Sequence, residues 1–352
     1  VLKIINKYIK KKIRDHEKIL LISAITQIVF LDFKEYAVIN CSVEIAKKLK
    51  IYHGFINATL KQISKDKKKL MKVKVSYHDL PSWFKNKTKF LTVSERNLFL
   101  ENYYKEPNLH IVFKDTEKLK KFEKKLIKSS EISGFALNMK DIANIKSFID
   151  GDWWVQDFSS FFPLYNLNLK KYKKLIDACA APGGKAFQIL SKKIDLILND
   201  KNKQRIKQIK ANLSRLKFDA KILNEDFTKF SYEKKFDFIM IDAPCSSIGT
   251  IRKNPEILFK TESPNFKYLN KVQEKMLERA SFLLNKDGLI LYMVCSFLKS
   301  ETEDQINKFL ESKNDFQLYK FEVSYKNIDY SKFIKNNCMS TLPDSFLNNN
   351  VD

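Results

Sequence analysis

No histidine occurs after position 110; the four in the chain are His16, His53, His78 and His110. A Ser-His-Asp or Cys-His site is thereby excluded from the rest, where chemistry must use Cys, Asp, Lys or a bound cofactor. Glycine is scarce as well, at 7 in 352 residues, and the chain has neither a GxGxxG turn nor a P-loop. The five cysteines are Cys41, Cys179, Cys245, Cys295 and Cys338, with no CxxC pair among them. That argues against a structural zinc site, so no metal is expected. An odd, widely spaced set of thiols suits the reducing cytoplasm. Long apolar runs are missing too. Ile19 to Leu31 is about 13 residues, short of the roughly 20 that cross a bilayer. It contains Gln27 and precedes no small-residue cleavage pattern, so it reads as a buried helix and not as a signal peptide or membrane anchor. The chain opens on Val1, not Met.

What the chain has in excess is positive charge: 65 basic against 41 acidic residues, a formal net charge of +24. Such a surplus suits a polyanion, nucleic acid first, although lysine-rich composition can also be a bias without a partner. A hydrophobic fraction of 44% is enough for a real core.

Taken in order, residues 1–66 form an all-helical domain with apolar residues at helical spacing among lysines, among them Leu20, Ile22, Ile25, Val43, Ala46 and Leu49. Ser64 to Ser76, dense in lysine, reads as a solvated connector. Residues 67–150 hold this linker and a small mixed α/β module. Its strands are expected at Leu109–Phe113, Gly134–Leu137 and Ser147–Ile149, with a basic helix at Thr116–Ile127. Gly151 to Ser160 carries Trp153 and Trp154, suited to an interdomain contact or a platform for a flat ring. Residues 151–352 alternate strands and helices. Strand candidates are Leu175–Ala178, Leu196–Asn199, Lys221–Leu223, Phe236–Ile241 and Leu289–Val294. Helix candidates are Lys185–Leu190, Lys203–Leu216, Phe266–Leu284 and Glu301–Leu310. This alternation predicts a Rossmann-like, doubly wound parallel sheet. Phe316 to Phe321 is a candidate sixth strand, in a sheet short of one further strand.

Chemistry-bearing residues follow the strand ends, where an open parallel sheet binds its ligands. Asp177 to Lys185, DACAAPGGK, spends two adjacent glycines, Gly183 and Gly184, on the first strand-to-helix turn, where they let backbone approach a ligand closely. Asp200, Asp226 and Asp242 follow the second, third and fourth strands. Each alone could be a helix cap. Together they suit a nucleoside cofactor, with Asp200 on the ribose hydroxyls and Asp226 toward the adenine amine. Cys245 and Cys295 follow the fourth and fifth strands. Either alone reads as a buried core thiol. At neighbouring strand ends, about 5 Å apart, they can share one pocket. One chemistry uses the whole set. A thiolate adds to carbon 6 of cytosine, carbon 5 becomes nucleophilic, and it attacks the methyl of S-adenosylmethionine. The thiol would need a lowered pKa, and Lys185 is the nearest cation.

These motifs resemble the RsmB/Sun-type RNA cytosine-5 methyltransferases. DACAAPGGK is similar to that family's cofactor loop. NDKNKQRIKQIKANLSRL (Asn199 to Leu216) carries the ribose acid Asp200, and NEDF (Asn224 to Phe227) the adenine-side acid Asp226. DAPCSSIGT (Asp242 to Thr250) with RKNPEI (Arg252 to Ile257) resembles its most distinctive signature, and VCS (Val294 to Ser296) stands in the place of its TCS. The resemblance implies an S-adenosylmethionine-dependent methyltransferase core over 151–352 acting on small-subunit ribosomal RNA as a cytoplasmic monomer. It implies Cys295 as nucleophile, Cys245 as an aid to release of the adduct, and Asp242 at the cytosine edge. Cys179, Ala180, Ala181, Pro182, Gly183, Gly184 and Lys185 would line the cofactor. Residues 1–66 resemble the NusB-like RNA-binding domain of such enzymes, in stretches such as KILLISAITQIVF and HGFINATLKQI. Three positions depart from the pattern. Val294 replaces threonine, KSET (Lys299 to Thr302) stands where the family has PEEN, and the chain ends before the family's DGFF-type strand. A chain incomplete at both ends is therefore expected. The competing classes are a non-catalytic RNA-binding or ribosome-assembly protein that kept the fold, and an amino-group methyltransferase. The latter favours Pro-Pro-aromatic where this chain has Pro244-Cys245.

Overall fold

The protein is described here by a computed structural model covering residues 1–320 except 74, 104–106, 123, 137, 138, 140 and 261, together with 333–335 and 338–340. Its contacts divide into two units, Val1–Ser76 and Tyr77–Asp352, where composition and pattern had suggested divisions at 66 and 150.

The first unit is helical: α1 Leu2–Tyr8, α2 Asp15–Ile25, α3 Glu35–Lys48 and α4 His53–Lys65. In α3 the buried residues are Val38, Ile39, Ser42 and Ala46, and in α4 they are Ile56, Leu60 and Ile63. Steps of three and four keep each set on one face of its helix. The apolar run from Ile19 is helical, as expected, but only half of it is buried: Leu20, Leu21, Ala24, Ile25, Ile28 and Val29 are inside, whereas Ile19, Phe30 and Leu31 are exposed. It passes from α2 into a π-helical turn, Thr26–Phe30, closed by the Leu31 N–H on the Thr26 carbonyl at 3.1 Å. That turn keeps Ile28 and Val29 inside. The lysine-dense stretch is not a free connector. α4 runs on to Lys65, a short turn follows at Lys67–Leu70, and Leu70 is fully buried. Lys67 pairs with Asp32 at 2.6 Å and Glu35 at 3.6 Å. One apolar residue with a cation beside two acids is enough to fasten the stretch.

The second unit opens with two helices, Ser82–Lys87 and Val93–Tyr103, and a four-stranded antiparallel sheet follows. Its strands are β1 Leu109–Phe113, β2 Leu126–Ser130, β3 Ser133–Ala136 and β4 Trp153–Val155, in the order β2-β3-β1-β4. Two expectations are corrected here. The helix expected over Thr116–Ile127 ends at Lys120, and Leu126 and Ile127 instead pair with Ala136 and Phe135. Ser147–Ile149 lies in a helical turn, Lys146–Ile149, because β4 takes the place beside β1. Trp153 and Trp154 are 0% and 2% exposed, on opposite faces of β4, each in a separate apolar core. They are packing residues, not a platform for a flat ring.

The parallel sheet comprises β5 Leu175–Asp177, β6 Ile197–Asn199, β7 Ile222–Leu223, β8 Phe236–Asp242 and β9 Leu284–Met293, in the order β7-β6-β5-β8-β9. Side chains of β8 alternate between two cores, Phe238 and Met240 in one, Ile239 and Ile241 in the other. A strand segment buried on both faces must be apolar, hence the run Phe238–Ile241; Asp237, near the start of the strand, is only half-buried and accepts the Lys173 and Lys174 N–H groups at 2.9 Å. Helices Gly184–Leu190, Lys203–Leu216, Phe266–Leu283 and Glu303–Ser312 occupy the expected intervals. This is the Rossmann-like architecture, and its order reverses between β5 and β8, the switch point where such sheets bind ligands. Phe316 to Lys320 forms no strand, contrary to expectation, and Phe321 lies outside the described residues. Among the described residues, no helix is long and apolar enough to cross a membrane.

Candidate active site

The loop after β5 is drawn tight by backbone bonds. The Ala178 N–H donates to the Met240 carbonyl and the Ala180 N–H to that of Asn199, both at 2.8 Å. Ala180, Ala181 and Gly183 are buried, Cys179 and Gly184 are half-buried, and Pro182 is exposed. Gly183 has φ +115°, and a Cβ there would lie 2.1 Å from the Phe187 ring, so only glycine fits. The chain then enters the helix that carries Lys185.

Asp200 stands beside this loop, only 3% exposed. Its carboxylate accepts the Ala181 N–H at 3.2 Å and the Asn202 N–H at 2.9 Å, with Arg205 3.6 Å away. An ionised carboxylate has about four lone-pair sites, so acceptor capacity remains for a ligand hydroxyl. Asp226 is exposed and caps the short turn Phe227–Lys229 through the Thr228 N–H and hydroxyl. Those two bonds lower its pKa.

Lys185 reaches across the switch point to Asp242 at 2.7 Å. Burial favours the neutral amine, but Asp242, with help from Cys295 and Asp177, outweighs it and raises the Lys185 pKa. Asp177, which the sequence reading did not single out, is 1% exposed beneath this pair. Burial, then the Asp242 charge, pushes its carboxyl up to about 7. Burial also raises the Cys179 thiol well above its ordinary range.

Cys245 and Cys295 meet at the ends of β8 and β9. Asp242 is in register with Met293, and the Ala243 N–H donates to the Met293 carbonyl at 2.9 Å, so the two loops leave the sheet side by side. The thiols share a hydrogen bond, and their titrations are driven apart. Cys295 is lowered, first by the hydrogen bond from Cys245, and Lys185 assists against burial and the Asp242 charge. Cys245 is raised, by that same bond and by burial. Cys295 is exposed and Cys245 half-buried. The pair thus consists of a reachable, thiolate-prone sulfur and a retained thiol that donates to it. A cleft of about 740 Å³ opens beside Cys245, walled by Asn254, Ile257, Pro264 and Tyr268 among others.

Two further features escaped the sequence reading. Asp157 pairs with Lys253, joining the segment after β4 to the RKNPEI loop. Glu301 is fully buried behind Cys245. Its only sequence signal is its place in KSET. Among the described residues, no group of three His, Cys, Asp or Glu side chains could hold a metal.

The family model described as 16S rRNA methyltransferase RsmB/F matches residues 164–348, and that of the NusB family matches residues 2–65. Ribosomal RNA small subunit methyltransferase B of Pasteurella multocida is 26% identical over 340 residues, covering 90% of this chain and 76% of that protein. Its namesake in Shewanella oneidensis is 33% identical over 184 residues, covering 51% of this chain and 43% of that protein. The chain thus matches under half the length of one curated relative and about three quarters of the other. Among solved structures, NSun6 from Pyrococcus horikoshii with SFG superposes with a TM-score of 0.58 at 17% identity, covering 69% of this chain and 90% of that one. A methyltransferase homolog from the same organism gives 0.55 at 23% identity, covering 66% and 78%. At these identities the superpositions speak for the fold.

Proposed function

This chain belongs to the RsmB/F family of 16S rRNA methyltransferases, and on that premise we propose that it methylates carbon 5 of a cytosine in small-subunit ribosomal RNA. The observation that carries this reading is that Cys245 and Cys295 leave the neighbouring strands β8 and β9 side by side, Cys295 exposed and Cys245 half-buried, and the shifts of the pair, Cys295 down and Cys245 up, agree with it. It acts in the cytoplasm, where thiols stay reduced.

S-adenosylmethionine, when bound, supplies the methyl group. The loop Cys179 to Lys185 and the acids Asp200 and Asp226 fit it by their chemistry: a glycine turn that lets backbone come close, a carboxylate with spare lone pairs, and an exposed carboxylate one strand further on. The target base must be unpaired or flipped out to reach the sulfur. The Cys295 thiolate then forms a bond to carbon 6, and Asp242, oriented by Lys185, faces the cytosine edge. After carbon 5 has gained the methyl, its proton passes to water, the electron pair left behind re-forms the carbon 5–carbon 6 double bond, and the sulfur–carbon bond breaks so that Cys295 leaves as thiolate. Cys245 assists that release.

Bisulfite sequencing of ribosomal RNA from cells with and without the gene tests the reading. One protected cytosine in the small-subunit RNA is expected to lose protection when the gene is absent. An unchanged pattern would favour an RNA-binding or assembly role instead.

Asp200 is proposed to anchor the cofactor ribose. Asp200→Ala is expected to weaken S-adenosylmethionine binding by about 1–3 kcal/mol, the loss of hydrogen bonds to a charged group. Calorimetry on the purified chain measures this, and unchanged affinity removes Asp200 from the cofactor site.

A further inference from the structure

We propose that Glu301 is a positioning residue that holds Cys245 against Cys295, so that adduct release depends on a carboxylate touching neither substrate nor cofactor. The proposal rests on the reading of the thiol pair given above.

The residues on both sides of Cys245 are tied to one buried pair. The Ser246 N–H donates to Glu301 Oε1 at 2.8 Å, and the Ser246 hydroxyl donates to Glu301 Oε2. Gln273, on the helix Phe266–Leu283, donates from Nε2 to Glu301 Oε1 at 3.2 Å and to the Pro244 carbonyl at 2.9 Å. Pro244 and Ser246 are thus both held, which fixes the backbone from which the Cys245 thiol projects. The Cys295 loop is fastened to the same hub. The Gly249 N–H donates to the Cys295 carbonyl at 3.0 Å. The Ser296 hydroxyl lies 3.4 Å from that of Ser246 and accepts the Leu298 N–H at 3.2 Å. The Tyr292 hydroxyl, on β9, donates to the Glu301 carbonyl at 2.9 Å.

A carboxylate suits this position because it only accepts, and three donors converge on it. A glutamine would turn an N–H₂ toward one of them. Glu301 and Gln273 are each 0% exposed. Among the described residues no lysine or arginine pairs with Glu301. Burying a carboxyl without a cation is costly, and its hydrogen bonds must compensate. A loop needing only to be packed could use apolar contacts. This one places an acceptor, and its charge helps keep Cys245 protonated, the form that donates to Cys295.

The test uses the full chain. In the absence of RNA, alkylation by iodoacetamide is followed at each cysteine by mass spectrometry. Cys295 is expected to react first in the unsubstituted protein. In Glu301→Ala the Cys245 rate should rise about tenfold, the effect of losing the one Cys245–Cys295 hydrogen bond to a charged sulfur, with Glu301→Gln in between. If Cys245 is alkylated at its original rate in the Gln variant, and also in the Ala variant where that binds S-adenosylmethionine normally, the proposal is overturned. With RNA and cofactor, both variants should then retain a covalent protein–RNA band on a denaturing gel, as is expected of Cys245→Ala. A freed Cys245 with normal turnover and no band would overturn the link to release. A freed Cys245 with no band in any variant, Cys245→Ala included, would keep the positioning role and overturn the covalent reading itself.

Discussion

Cys295→Ala is expected to bind RNA and cofactor yet form neither adduct nor product, while Cys245→Ala is expected to attack, and then stall with RNA attached. Loss of the nucleophile should lower turnover by about ten-thousand-fold or more. Without sulfur on carbon 6, carbon 5 of cytosine is not nucleophilic enough to take the methyl. Cys245 lies half-buried beside Cys295 and donates to it. Its removal leaves the attacking sulfur in place and takes away its hydrogen-bond partner. The stalled complex should appear on a denaturing gel as a slow band that requires both RNA and S-adenosylmethionine. Full activity of Cys245→Ala, or a band from Cys295→Ala, would reverse the assignment. Indifference to both changes would leave two ordinary thiols and an RNA-binding protein.

The second large effect is expected at Lys185. Lys185→Met keeps the stem and removes the ammonium that pairs with Asp242 at 2.7 Å. Asp242 would then face the buried Asp177 without a counter-charge. Cys295 would lose the cation that lowers its pKa while keeping the carboxylates that raise it. The sign follows directly: a thiol with a higher pKa is less ionised at neutral pH, so its pH–alkylation curve moves to higher pH. Turnover should fall by at least about a hundredfold, a typical loss for a group acting on proton transfer and nucleophile activation. Raising the pH should recover part of it. An alkylation curve unmoved in Lys185→Met would show that Lys185 orients Asp242 but does not activate the thiol.

Much of this protein was legible in its sequence because the signals were local. The helix Lys203–Leu216 and strand β1 fall where the pattern put them. Chain-local periodicity follows which face is buried, and that decides helix against strand. The strand-end motifs DACAAPGGK and DAPCSSIGT are local as well, since a parallel sheet gathers successive strand ends at one edge whatever lies between. Where pattern failed, partners distant in the chain decided. Leu126 and Ile127 continue an amphipathic helix by spacing but become a strand because β3 is there to pair with them. Trp153 and Trp154 look like a binding platform until β1 pairs with their strand and turns one ring to each core. Leu70 fastens a lysine run that composition alone would leave in solvent. Asp177, although it opens the DACAAPGGK motif, and Glu301 were not singled out for the same reason. A glutamate 55 positions from Ser246 carries no sign that it will be its partner. β8 must lie beside β9 before the two loops meet, and burial must remove water before the carboxylate has only protein donors left to accept.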